Sequence, residues 1–239
     1  MATLTSTSPS EENVPTATKA NGNEASGNTT GFSIDMLAKH FQDCLDPATG
    51  TLDMDAYIRG YEEIYKFLNL LGTVFGWVAT DVHAKLEVLR SHRAGANRDK
   101  YVSVQSMVEY EVGSNLIKPK AKDSSTGSRN LLRLHRALDF VSGFLEVLPS
   151  LADKDNCCPS AQAAYKKGLA KHHPWVVQKA ATMGMNLLPT KEGLVAKFCS
   201  NEEEVAKAAV TLGEATKAMN EVYAKTQEIY AEKKILDLP

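Results

Sequence analysis

Long apolar runs are missing from this 239-residue chain. The longest weakly charged stretch, Phe67 to Thr80, is fourteen residues and contains Asn69, short of the roughly 20 apolar residues that a membrane-crossing helix needs. Charge of one sign is missing too: 27 Lys+Arg face 29 Asp+Glu, a formal net charge of −2. That balance excludes a bulk polycation and speaks against a nucleic-acid partner. Cysteine is scarce. The four present, Cys44, Cys157, Cys158 and Cys199, make no disulfide framework, and the adjacent pair has no CxxC spacing; a reducing, cytoplasmic location is expected. No HExxH and no Cys/His pair at ligand spacing occurs, so neither a metal nor another cofactor is expected. No nucleophile elbow or paired carboxylates point to an enzyme. The first thirty residues have no aromatic side chain, no Arg and a single Lys. They lack the apolar core of a secretory signal and the Arg-rich amphipathy of a transit peptide. Residues 1–30 therefore read as a disordered tail, and 31–239 as one domain.

What is present is helical spacing almost everywhere after Ser33. Ile34, Leu37, Phe41 and Leu45 follow Ser33 as N-cap and stop before Asp46-Pro47. A second helix is predicted from Asp53 to Leu70, with Gly72 or Gly76 as its break, and a third on to about Arg90. Further helical patterns cover Tyr101 to Leu116, Arg129 to Leu148, Gln162 to Lys171, Trp175 to Leu188 and Asn201 to Glu232, the last opened by Ser200 and Glu203 as a capping box. No segment alternates in period two between hairpin turns. The expected architecture is all-α, with joints short enough to favour antiparallel neighbours in one unit.

Two helices carry charge on the wrong face. At about 100° per residue, with Asp81 at zero, Leu71, Phe75, Val78, Val82, Leu86 and Leu89 fall between about −40° and +140°. Asp81 lies inside that arc, and Lys85, at about +40°, lies deeper. On the helix from Arg129 the same construction puts Arg133 among Leu134, Leu138, Phe140, Val141 and Phe144, with Arg129 at the edge and Arg136 just outside. A solvated i,i+4 pair is worth only roughly 0.2–0.5 kcal/mol and gives no reason for this placement. Asp81, Lys85, Arg129 and Arg133 together carry a local excess of about +2. Inside an apolar wall that excess calls for an anion. Phosphate fits the arginines and the lysine, while Asp81 accepts from N–H or O–H groups that a phosphate does not supply. The ligand these residues describe is amphiphilic: a phosphate, a neighbouring donor and an apolar body.

At these residues the sequence resembles the glycolipid transfer protein family, most closely its ceramide-1-phosphate transfer protein branch. The strings are FLNLLGTVFGWVATDVHAKL from Phe67, RNLLRLHRAL from Arg129, AKHHPWVV from Ala170 and the ending YAEKKILDLP, and the resemblance covers about Ile34 to Pro239. It implies a two-layer helical sandwich of about eight helices, a monomer, that binds a sphingolipid without chemical change. By that resemblance Asp81 binds the sphingosine amide N–H, His173 the amide carbonyl, and Lys85, Arg129 and Arg133 the phosphate. Where the sugar-binding branch usually has Asn and a stacking Trp, this chain has Lys85 and Arg133, which favours a phosphate over a sugar.

The expected function is therefore non-enzymatic transfer of ceramide-1-phosphate or a related phosphosphingolipid between membranes, with transient association at the membrane surface. A sensor or adaptor that binds without ferrying is the alternative. An enzyme using His173 and Asp81 as an acid–base pair is a third reading, which no motif supports. Trp175, among Tyr165, Lys166, Lys167 and Lys171, is the candidate membrane contact, since each Lys near an anionic surface adds about 1 kcal/mol; a partly buried core ring is its plainer reading. Trp77 reads as core or pocket wall, and Lys118 to Lys122 as a solvated basic loop.

Overall fold

Caps and breaks set the helix boundaries in the structure, a computed structural model that describes residues 31–72, 75–117 and 125–238. Helix α1 (Ile34–Cys44) starts at Ser33, whose hydroxyl accepts from the Met36 amide at 3.2 Å. Helix α2 (Met54–Leu70) starts at Asp53, whose carboxylate accepts from the Ala56 amide at 2.7 Å. Each side chain satisfies an amide that the first helical turn leaves without a partner. Gly72, at φ +98°, ends the α2 segment in a conformation that a Cβ disfavours, and α3 (Gly76–Ala94) follows. After a 3₁₀ turn at Arg98–Tyr101 come α4 (Val104–Gly113), α5 (Gly127–Val147), α6 (Cys158–Lys167), α7 (Trp175–Met185), α8 (Lys191–Val195) and α9 (Glu202–Glu232). The expected all-α class holds, with no named strand among the described residues.

Three boundaries differ from the sequence reading, each for a local reason. The cap expected at Ser200 and Glu203 moves on by one residue, and it is not a reciprocal box. Asn201 is the N-cap, accepting from the Glu204 amide at 2.9 Å, while the Glu204 carboxylate accepts from the Ser200 amide at 2.7 Å. Three successive glutamates and two adjacent capping side chains make the two registers nearly equivalent in sequence. Helix α6 begins at Cys158 with Pro159 in its first turn, ahead of the expected Gln162, because proline's missing N–H costs nothing there. Between the helices expected at Trp175 to Leu188 and Asn201 to Glu232 lies a further one, α8, capped by Thr190, which brings the described helices to nine. The tail 1–30 and the basic run Lys118 to Lys122 lie outside the described residues.

Helix α5 is the central element. It packs against α3, α4, α6 and α9, and fourteen of its twenty-one residues are buried. Its start is fixed from α4: the Glu111 carboxylate, fully buried, accepts from the Gly127 amide at 2.7 Å, the Ser128 amide at 2.9 Å and the Tyr101 hydroxyl at 3.0 Å. A negative group at a helix start also matches the local dipole. Gly127 is required by space, because a Cβ there would lie 2.5 Å from the Met107 sulfur. On its other side, α5 places His135 and Ser142, which the wheel puts on the polar arc, against α9. Ser142 meets the Asn220 side-chain oxygen at 2.6 Å, and the Tyr230 hydroxyl donates to the Ser128 carbonyl at 2.8 Å. Tyr61 from α2 donates to the Leu134 carbonyl.

His135 is 1% exposed, stacked on Tyr223 at 4.2 Å, with Nε2 at 2.8 Å from the Gln227 side-chain oxygen. Burial pushes its pKa down from the usual 6.5 to about 4. The unfolded chain thus takes up a proton at this residue between pH 6.5 and 4 that the folded chain refuses, so stability falls as the pH falls through that window, by up to about 3 kcal/mol. Urea unfolding at neutral pH and at about pH 5 is expected to show this loss. His135→Gln is expected to remove its steepest part and to leave the shallower slope from His40, His172 and His173, whose pKa values are also depressed. An unchanged pH slope in the variant would contradict the assignment.

Candidate functional site

A cavity of about 400 Å³ opens between α2, α3, α5, α6 and α7. Its interior is apolar, with Ile64, Leu68, Phe75, Val82, Leu134 and Phe140 on the wall, and its polar side chains are Asp81, Lys85, Arg133, Arg136, His172 and His173. An oily hollow edged by a few convergent polar groups is the usual form of a ligand site.

Four of the five sequence-predicted headgroup residues line this one cavity: Asp81, Lys85, Arg133 and His173. Asp81 and Lys85 are one turn apart on α3, so they share a face. Their ion pair joins a nearly buried ammonium, 8% exposed, to a carboxylate 65% exposed at the rim. Lys85 Nζ also lies 3.3 Å from the Asp81 carbonyl oxygen. The wheel places both residues in the apolar arc; depth separates them, because the wall that buries Lys85 gives way to solvent one turn earlier. Arg133 is likewise on the cavity side of α5 but exposed. Arg129 is the exception. It is 2% exposed, in the first turn of α5, and does not line the cavity.

Two wall residues lie outside the predicted headgroup set: Arg136, which the wheel puts just outside the apolar arc, and His172. Arg136 is three residues after Arg133, a spacing that shares a helix face, and this was the available signal. Its Nη2 donates to the carbonyls of Leu236 at 2.7 Å and Leu238 at 3.1 Å, which ties the C-terminal segment to the site. Burial and the charge of Arg133 hold the Arg136 pKa below its ordinary value, opposed by Asp237. His172 precedes His173 and lines the same cavity. Burial, then Arg136 and Lys171, keep its pKa low. One carboxylate and three cations on the cavity wall sum to about +2. Cations that disfavour one another's charge are poised for an anion.

His173 is set by its surroundings. The 3₁₀ turn Ala170–His172 ends at it in extended backbone, and Pro174 follows, as expected for a residue before proline. The Gln178 side chain donates to its carbonyl at 2.8 Å, and the Tyr165 hydroxyl lies 2.8 Å from Nδ1. Burial lowers its pKa, with Asp81 opposing. Beside it, α7 turns an apolar face outward: Trp175, Val176, Met183 and the following Leu187 are 67–70% exposed, with Lys179 Nζ 5.7 Å from the Trp175 ring centre. Trp175 is thus no core residue. Trp77 is half exposed and stands on the cavity wall, the second of its two expected places. Among the described residues, no helix is long and apolar enough to cross a membrane.

The fold and this cavity define a helical protein built to hold an amphiphile. The family model described as Glycolipid transfer protein matches residues 52–200. Ceramide-1-phosphate transfer protein of Homo sapiens is 35% identical over 212 residues, 88% of this chain and 98% of the relative, and that of Danio rerio is 36% identical over 210 residues, 87% and 98%. The crystal structure of the mouse ceramide-1-phosphate transfer protein in its apo form superposes with a TM-score of 0.81 at 34% identity, covering 87% of this chain and all of the other. That of the human protein in complex with 12:0 ceramide-1-phosphate gives 0.79 at 34% identity, with the same coverage. The chain belongs to the glycolipid transfer protein family.

The two sides of the cavity are anchored unequally. Only Gly184 and Met185 are buried among the eleven residues of α7, against fourteen of twenty-one in α5. Helices with few buried residues open at lower free energy. Hydrogen exchange is expected to release α7 amides well before those of α5, and loading with a phosphosphingolipid is expected to slow α7 selectively. Equal protection of the two helices would contradict this ordering.

Proposed function

We propose that the chain is a non-enzymatic carrier that moves ceramide-1-phosphate, or a related phosphosphingolipid, between membranes, acting as a single domain over residues 31–239. The observation that carries this reading is the joint placement of Asp81, Lys85, Arg133 and His173 at one apolar cavity. Lys85 and Arg133 hold the phosphate, with Arg136 beside them and Arg129 one turn behind adding positive potential. Asp81 accepts from the amide N–H, and His173 donates to the amide carbonyl. The human relative that binds ceramide-1-phosphate in its crystal structure supports the same ligand here. The membrane interior holds each chain methylene at roughly 0.8 kcal/mol relative to water, about 12 kcal/mol for a sixteen-carbon chain. An apolar sleeve offsets this without any bond being made or broken. The four thiols, all unpaired, suit a reducing cytoplasm, and the outward face of α7 supplies transient contact with a bilayer, where a tryptophan ring settles at the interface.

Arg133→Leu is the cleanest test, because the side chain is exposed and its loss leaves the core intact. Removing a charge-assisted contact worth about 1.5–3 kcal/mol is expected to lower transfer of fluorescent ceramide-1-phosphate between phosphatidylcholine vesicles by tenfold or more, with the circular dichroism unchanged. Asp81→Val is expected to abolish transfer, and it also leaves Lys85 without its carboxylate. Full transfer by either variant would overturn the reading. Binding of the lipid by the wild-type chain with no movement between vesicles would leave a sensor in place of a carrier.

Trp175→Ala addresses the bilayer contact. Loss of a large apolar side chain, about 1.5–3 kcal/mol when buried, is expected to weaken sedimentation with anionic vesicles about tenfold while native mass spectrometry still finds bound lipid. Unchanged sedimentation would remove α7 from the docking face.

A further inference from the structure

His173 has two ring nitrogens, and the lipid-carrier reading uses it as a donor, which requires a proton on the nitrogen that meets the ligand. The structure shows what chooses that nitrogen. Tyr165, on α6, is 3% exposed, and its hydroxyl lies 2.8 Å from His173 Nδ1. Among the described residues that hydroxyl has no other hydrogen-bond partner. The tyrosine ring cannot turn freely, because Phe140 meets it edge-on at 6.0 Å and 90°. The imidazole is held as firmly from its backbone: the His173 amide donates to the Ala170 carbonyl at 3.0 Å, and Gln178 donates to the His173 carbonyl at 2.8 Å.

Two proton arrangements are available across this contact. If Nδ1 carried the proton and donated to the phenol oxygen, the phenol proton would have no acceptor among the described residues, on a side chain only 3% exposed. If the phenol donates to Nδ1, the phenol proton is satisfied and the imidazole proton sits on Nε2 of the half-buried ring, on the cavity wall. A buried donor without an acceptor is the costlier arrangement. Tyr165 stays protonated, since burial raises its pKa, and His173 stays neutral near physiological pH, since burial lowers its own. Tyrosinate and imidazolium, which would blur the choice, are both disfavoured.

We infer that Tyr165 is a positioning residue: its hydroxyl donates to Nδ1 of His173, holds the imidazole in the Nε2–H form and thereby fixes His173 as a hydrogen-bond donor toward a carbonyl of the ligand. The inference rests on the lipid-carrier reading and deepens it. With Asp81 as an acceptor on the same cavity, the pair presents one donor and one acceptor, the complement of a secondary amide. An ester-linked glycerolipid has the carbonyl but no N–H, so it leaves Asp81 without a donor, whereas an N-acyl sphingoid phosphate satisfies both. Tyr165 therefore contributes to the choice of lipid class without touching the lipid's phosphate.

Long-range ¹H–¹⁵N spectra of the ¹⁵N-histidine-labelled full chain, with His173 assigned by its absence in His173→Ala, report the form directly. Near neutral pH the wild-type protein is expected to show His173 protonated on Nε2 alone. Protonation on Nδ1 would overturn the inference without recourse to any variant. In Tyr165→Phe the His173 nitrogens are expected to shift toward a mixture of forms, its titration is expected to move to higher pH, and transfer of fluorescent ceramide-1-phosphate between phosphatidylcholine vesicles is expected to fall about three- to tenfold, the value of one hydrogen bond. Transfer at the wild-type rate would overturn the inference, and so would a loss of transfer with the His173 nitrogens unmoved, which would make Tyr165 a wall residue only. Failure of the carrier reading has a separate mark: Arg133→Leu would then transfer normally, whatever the spectra of His173 show.

Discussion

The site depends on a positive charge placed where water hardly reaches it. Lys85 is nearly buried on the apolar side of α3, and its carboxylate partner, Asp81, lies at the exposed rim. A buried ammonium is costly unless it is paired and hydrogen-bonded. Asp81 meets that need through both its side chain and its carbonyl oxygen. It cannot also meet that of Arg133 and Arg136, which leaves the wall with about two positive charges in excess. The depressed pKa of Arg136, due to burial and to Arg133, is the same excess seen from another residue. A ligand bearing a dianionic or monoanionic phosphate relieves this strain. A neutral headgroup does not.

Holding such a cluster in register requires a rigid frame on one side and freedom on the other. Helix α5 is the rigid side. Glu111 closes its N-terminus with two hydrogen bonds and is itself held by Tyr101, α9 covers its polar arc, and Tyr61 and Tyr230 fasten its backbone carbonyls. The helix presents Arg133 and Arg136 from a backbone that gains nothing by moving. Helix α7 has few such fastenings and carries the exposed apolar face. A cavity of about 400 Å³ must admit a chain from a bilayer, and the less anchored side is where admission costs least.

Much of this was legible in the sequence, and the limits are instructive. Helical class, the cap at Ser33, a second helix opening at Asp53 and a break at Gly72, one of two glycines that the pattern allowed, follow from local rules and stand in the structure. The anomalous faces of Asp81, Lys85 and Arg133 also led to the cavity. What a wheel lacks is depth. It reports direction around one axis, so it placed Arg133 deeper than Arg129, and the structure reverses them because the cavity at Arg133 is open while the start of α5 is enclosed. It also put His135 on a polar arc. That arc is polar because α9 answers it with Gln227 and Asn220, partners more than seventy residues away that no local pattern predicts. Arg136 was left out of the predicted set for the reverse reason: it lies one turn from a recognised residue, yet its neighbours in space, Leu236 and Leu238, come from the far end of the chain.

Selectivity in such a site comes more from what the wrong ligand leaves undone than from what the right one gains. Apolar walls favour any acyl chain in proportion to its buried area, so the interior ranks lipids by length and shape but scarcely by class. The rim separates classes. A sugar headgroup would leave the excess positive charge of Arg133 and Arg136 without a counter-charge and would find Arg133 where a flat aromatic ring is needed for stacking. A phosphate on a glycerol ester would satisfy the cations but leave Asp81 with no N–H to accept from, and an acceptor-only carboxylate facing ester oxygens is repelled by them. A phosphate on the carbon next to the one that bears a secondary amide would meet every demand at once. On the proposed reading, the polar groups gathered at the mouth of this cavity would therefore specify a lipid class jointly, and none of them would do so alone.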